Sequence, residues 1–122
     1  MRKLALLVLV FGTVSVWAAK PELIRLVGLE TVPVPLVDGR DCTHAEPSFT
    51  EGAWVLNVSV TPAAGKRLRD YTRTHVGGRM GFYIQGEEPR TPQIMDPIEV
   101  DGFLVGTFTR ERAEELAKKI NE

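Results

Sequence analysis

Asp41, Cys42, His44 and Glu46 are the residues of this sequence with metal-ligand chemistry crowded into one stretch. Thiolate, neutral imidazole and carboxylate all donate to zinc. A tetrahedral site needs three or four converging groups, with partners behind them that fix their orientation. His75 is distant in sequence and nothing in the spacing returns it to 41–46, so a solvated loop is expected there and no metal. Nucleophilic catalysis fares no better, because Ser48, Ser59 and Cys42 lie in no nucleophile motif with a base and an orienting partner. His75 falls at the expected end of a helix, where carbonyl dipoles favour an imidazolium. No pair of carboxylates is spaced to suggest glycoside hydrolysis. Gly77-Gly78 and the pair Gly102 and Gly106 lack the spacing that aims several N–H groups at a phosphate. The chain is read as one that binds rather than catalyses, with no cofactor.

Two features carry binding chemistry instead. Pro92 to Val100 is extended and interrupted by prolines, the build of a sheet edge that offers backbone groups to another chain without self-aggregating. Pro92, Ile94, Met95, Pro97 and Ile98 are its candidate contacts; the competing reading puts the three apolar side chains in the core and leaves the prolines to shape a turn. The second is a basic concentration, Lys66, Arg67, Arg69, Arg73 and Arg79, of which Arg69 and Arg73 are the candidates for an acidic partner. Glu87, Glu88, Asp96, Glu99 and Asp101 are available to neutralise it, which would make it an ordinary solvated face.

The elements that must position these residues are legible from Trp54 onward. Trp54, Leu56, Val58 and Val60 alternate with polar residues, which predicts a strand over 53–60 buried on one face. Thr61-Pro62 follows as an N-cap hydroxyl and a first-turn proline, and Ala64, Leu68 and Tyr71 then share one face of a helix over about 62–75. Met80, Phe82 and Ile84 alternate again, Gln85 to Glu88 turns, and a second strand broken by Pro89 and Pro92 completes a hairpin-like ribbon. Phe103-Leu104-Val105 is a short strand between glycines, and Thr109 caps a last helix with its stripe at Ala113, Leu116, Ala117 and Ile120. Before Trp54 the pattern is weaker: one strand around Leu23 to Val27, then an extended arm marked by Pro33 and Pro35.

With 122 residues and a net charge of −1, the chain has room for one small core and no electrostatic case for nucleic acid or acidic lipid. Residues 1–19 have the layout of a cleavable signal peptide: Arg2 and Lys3, an apolar run, then Ala18-Ala19, with cleavage expected after Ala18. The run is shorter than a membrane-spanning helix, which favours removal over retention as an anchor. A periplasmic location follows, with no membrane span after the signal. Cys42 is the single cysteine, so the exported chain has no internal disulfide and its thiol is read as buried and inert.

Taken in order, VSVTPAAGKRLRDYT, GGRMGFYIQGEE and RTPQIMDPIEVDGFLVGTFTRERAEELAKKI resemble the head of the first periplasmic domain of the SecD translocase family. The resemblance covers about Phe49 to Ile120 and rests on the ordered set, since each piece alone is common. It implies an α+β fold, a small mixed or antiparallel sheet with two amphipathic helices packed on one face. Three parts are expected: signal peptide 1–19, strand and extended arm 20–48, and head-like domain 49–122. It also implies a secretion-linked module contacting exported polypeptide or a protein partner. Full-length members carry several membrane helices for their proton-coupled work, and no such span follows the signal here. The rival reading is a free-standing periplasmic inhibitor or regulator of one protein target, with the 20–48 arm giving selectivity.

Overall fold

The structure is a computed structural model and describes residues 21–122. The expected signal peptide lies outside the described residues. Six strands and two helices follow in the order β1 Ile24–Gly28, β2 Val34–Val37, β3 Cys42–Thr50, β4 Ala53–Val60, α1 Pro62–Thr74, β5 Met80–Ile84, β6 Gly102–Phe108 and α2 Arg110–Asn121. The α+β class holds. What the sequence pattern did not resolve is that the strands divide between two antiparallel sheets, β2-β1-β5 and β3-β4-β6.

The central strands are those with the clearest apolar pattern. β4 buries Leu56, Val58 and Val60 and turns Asn57 and Ser59 outward, and it pairs with β3 on one side and β6 on the other. β3 is a finding beyond the sequence reading, because only Cys42 and Ala45 of its nine residues are buried and Pro47 sits within it. It is held by a two-residue turn to β4, in which Glu51 and Gly52 both take positive φ (52° and 79°), the pair of values a type I′ hairpin requires. Before it, Asp38 and Asp41 form a reciprocal cap on a short 3-10 turn, with Arg40 N donating to Asp38 at 2.8 Å and Asp38 N donating to Asp41 at 3.0 Å.

Both helices start where the threonines predicted. Thr61 Oγ1 accepts from Ala64 N at 3.3 Å ahead of Pro62, and Thr109 Oγ1 accepts from Arg112 N at 3.1 Å. α1 packs against β2 and α2 packs across the second sheet. One apolar cluster runs through everything: Leu26, Leu36 and Phe82 from the first sheet, Leu56, Val58 and Phe103 from the second, Leu68, Leu116 and Ile120 from the helices. The Phe82 and Phe103 rings meet edge-on at 6.0 Å and join the two sheets directly.

Candidate functional site

The proline-marked segment after β5 does form a ribbon. Residues 90–94 run antiparallel to β5, with Phe82 N donating to Arg90 O (2.7 Å), Met80 N to Pro92 O (3.0 Å) and Ile94 N to Gly78 O (2.8 Å). Pro92 therefore serves the ladder only as an acceptor, the one role its ring leaves it. The ribbon's candidate contacts separate here. Ile94 is buried in the core, Ile98 and Pro97 are half-buried, Pro92 is exposed, and Met95 is 71% exposed. The core thus takes Ile94 and part of Ile98, and Met95 is left facing solvent.

The structure brings the ribbon and the basic helix together. Arg69 pairs with Asp101 at 3.0 Å and Arg73 with Glu99 at 2.9 Å, so α1 braces the chain that leads from the ribbon into β6. Lys66 pairs with Asp70, Arg67 with Asp41, and Arg79 donates to the Thr91 carbonyl at 2.8 Å. The basic concentration is thereby matched by carboxylates and carbonyls, and its helix acts as a scaffold for 98–101. The hydrogen bond from Arg73 holds the Glu99 carboxyl below the usual glutamate range, with the Arg73 and Arg69 charges adding to it and desolvation pulling the other way. A carboxylate lowered on folding stabilises the protein above the usual glutamate range and loses that contribution as pH falls through its folded-state value. Acidification through the folded-state value of Glu99 should therefore remove what the Arg73–Glu99 pair contributes to stability, while the Thr72 bond to Ile98 stays in place. A carbon-detected titration of Glu99 should show a midpoint below that of free glutamate, and Arg73→Gln should raise it.

Thr72 is the residue that sequence reasoning missed. It lies on the buried side of α1, fully enclosed, and its hydroxyl donates to Leu68 O at 2.7 Å while accepting from Ile98 N at 2.9 Å. A threonine one step beyond Tyr71 and four beyond Leu68, on the apolar stripe, was the available signal. Thr72→Val keeps the shape and strands the Ile98 N–H, which should destabilise the protein by about 1–3 kcal/mol. Amide exchange at Ile98 should accelerate, and Thr72→Ser should restore its protection. Unchanged exchange in the valine variant would show that the hydroxyl does not hold the segment.

Beside the braced segment runs a concavity of about 550 Å³ lined by Phe82, Ile98, Val100, Phe103 and Leu104, among others. Val100 and Leu104 are 66% and 61% exposed at its rim. The residues with metal-ligand chemistry, Cys42, His44 and His75, do not converge. A register shift between Cys42 and His44 sends the cysteine inward, its thiol 3.6 Å from Asp38 O, and the histidine outward to Glu46 at 3.1 Å. His75 stacks on Tyr71 at 3.9 Å and donates to the Tyr71 carbonyl at 2.8 Å, capping α1 as its position suggested. Among the described residues no group of three or more His, Cys, Asp or Glu is placed to hold a metal. Nor, among them, is any helix long and apolar enough to cross a membrane.

Comparison with known proteins gives the same family by sequence and by shape. The family described as SecDF, P1 head subdomain matches residues 26–122, which takes in strands of the 20–48 segment as well as the region from Phe49. The protein translocase subunit SecD of Thermobaculum terrenum is 31% identical over 94 residues, 75% of this chain and 18% of its own length. The corresponding subunit of Koribacter versatilis is 28% identical over 86 residues, 70% of this chain and 16% of its own length. Among solved structures, a membrane component SecDF that enhances protein export superposes with a TM-score of 0.63 at 25% identity, covering 71% of this chain and 40% of that one. SecDF in a super-membrane-facing form gives 0.64 at 25% identity, over 71% of this chain and 12% of the other. The chain thus spans under a fifth of the length of these SecD relatives.

Proposed function

This chain belongs to the family of SecDF P1 head subdomains, and from that membership we propose that it is an exported, periplasmic module that binds polypeptide or a protein partner in the course of secretion. The observation that carries the proposal is the match over 26–122 together with the shared fold of a SecDF described as enhancing protein export. The relatives are translocase subunits, and the reading is accordingly one of binding rather than of a catalysed reaction.

On this reading the contact surface is the outer side of 92–100. Met95 presents the exposed apolar contact, Pro92 and Pro97 keep the chain extended around it, and Ile94 and Ile98 anchor it to the core. Arg69 and Arg73 support the surface through Asp101 and Glu99. The test is photo-crosslinking in cells from a probe replacing Met95, with mass spectrometry of what is captured. Many exported chains, or translocase subunits, are expected. One recurrent soluble protein would identify an inhibitor or regulator instead, and capture at background level would remove this surface from the proposal.

A further inference from the structure

Each of the two sheets has two edges, and three of the four are closed by recognisable devices. β2 carries Pro35, and the Leu36 carbonyl beside it accepts from Arg67 Nε at 2.8 Å. β5 is paired by the 90–94 ribbon from Met80 to Phe82, and the Ile84 carbonyl at its end accepts from Glu87 N at 2.9 Å. β3 carries Pro47, and at Ala45 the side-chain amide of Asn121 imitates a neighbouring strand, accepting from Ala45 N and donating to Ala45 O, both at 2.9 Å. Proteins close edges in these ways because a row of unpaired N–H and C=O groups recruits other chains.

Among the described residues, β6 has no such device at its centre. Val60 N donates to Asp101 O at 3.1 Å, which sets the phase of the β4 and β6 ladder. In the register Val60 to Asp101, Val58 to Phe103 and Leu56 to Val105, alternate residues face β4, so the N–H and C=O of Leu104, opposite Asn57, point away from it. The same phase puts the backbone groups of Ala45 on the outer edge of β3, where Asn121 meets them. No described residue bonds the Leu104 backbone groups. The open stretch is short. Gly102 is buried at one end, and at the other the Thr107 carbonyl accepts from Arg90 at 3.1 Å. Alongside lies the concavity lined by Phe82, Ile98 and Phe103.

We propose that β6 receives a segment of extended polypeptide as an added strand, its backbone hydrogen-bonding Leu104 to Gly106 and one apolar side chain entering the adjoining groove. The proposal rests on the polypeptide-binding reading above and specifies how and where such a chain is held. Strand addition explains a site that accepts many sequences, because main-chain hydrogen bonds supply the affinity and a pocket selects only at alternate positions. A second copy of this chain is the less suitable occupant. A stable dimer buries roughly 1,200–2,000 Å², more than an opening of three residues beside one groove provides. The neighbouring charges Glu99 and Asp101 are already matched by Arg73 and Arg69, so the groove offers an uncharged guest no electrostatic penalty.

The test uses the full chain and two synthetic peptides of about six alternating valine and threonine residues, flanked by lysines. One is unmodified and its twin carries N-methyl groups on the amides of one edge. The unmodified peptide should bind by fluorescence anisotropy, and the twin should bind at least about tenfold more weakly through its lost donors. Binding should slow amide exchange at Leu104. Leu104→Pro, which removes an edge donor that no internal bond uses, should melt close to the parent and lose the peptide. Equal binding of both peptides, or unchanged exchange at Leu104, would overturn strand addition while leaving polypeptide binding standing. Failure of both peptides to bind would overturn strand addition and polypeptide binding together, and concentration-dependent self-association abolished by Leu104→Pro would make the second copy the occupant.

Discussion

Leu68→Ala should destabilise the protein by about 2–5 kcal/mol, because Leu68 is fully buried and α1 cannot settle into the space its side chain leaves without breaking its other contacts. In a domain of this size each kcal/mol lowers the melting temperature by about 4–8 °C. The effect should reach further than stability. The same helix carries Thr72, Arg69 and Arg73, which bond Ile98, Asp101 and Glu99, so a loosened α1 loosens the wall of the groove beside β6. Urea denaturation should show a lower midpoint with an unchanged slope, and amide exchange at Ile98 should rise in the native state. A loss under about 1 kcal/mol would mean that the site collapses around the truncation and that α1 is not seated by this side chain.

Gly28→Ala should be nearly as damaging for the opposite reason. Gly28 ends β1, and a Cβ there would lie 2.2 Å from Tyr71 Cζ and 2.4 Å from its hydroxyl oxygen. The ring has little freedom to yield, since it is 8% exposed and stacked on His75. Burial raises the pKa of the Tyr71 hydroxyl, and its hydrogen bond with Glu30 raises it further, so the group stays a neutral donor throughout the physiological range. Forcing the ring aside is an overpacking change of about 1–3 kcal/mol. A double-mutant cycle isolates the cause: in a Tyr71→Ala background the added methyl should have little effect, because nothing remains for it to strike. If Gly28→Ala is as harmful there as in the parent, the conflict lies in the β1 backbone and not with the tyrosine.

These two residues differ in how far the sequence announced them. Leu68 falls at the middle of the Ala64, Leu68, Tyr71 stripe behind a threonine cap and a proline, local signals that depend only on the 3.6-residue period and on the unsatisfied amides of a helix start. Gly28 carries no signal of that kind. A glycine at a strand end has many readings, and the one that applies depends on a tyrosine more than forty positions away folding back across it. The same division runs through the candidate surface. The extended, proline-marked character of 90–98 was legible, and so was the opposition of basic and acidic residues, because both follow from side-chain chemistry. Which of Ile94, Met95 and Ile98 faces solvent was not legible, since the prolines break the alternation that would have told them apart.

The sequence by itself determined the α+β class, strand β4, both helices with their caps, and the ordered motifs that resemble the SecD head. Period, capping and turn chemistry are local and need no partner to be read. Only the tertiary structure decided that β3 is a strand, that two sheets share one core, and that Thr72 ties the ribbon to α1. It alone decided, too, that among the described residues nothing covers the β6 edge at Leu104, while Arg67, Asn121 and the ribbon cover the other three. Edge strands gain their pairing and their cover from residues remote in the chain, so their pattern of burial is weak and their exposure is fixed only when the rest of the molecule is in place.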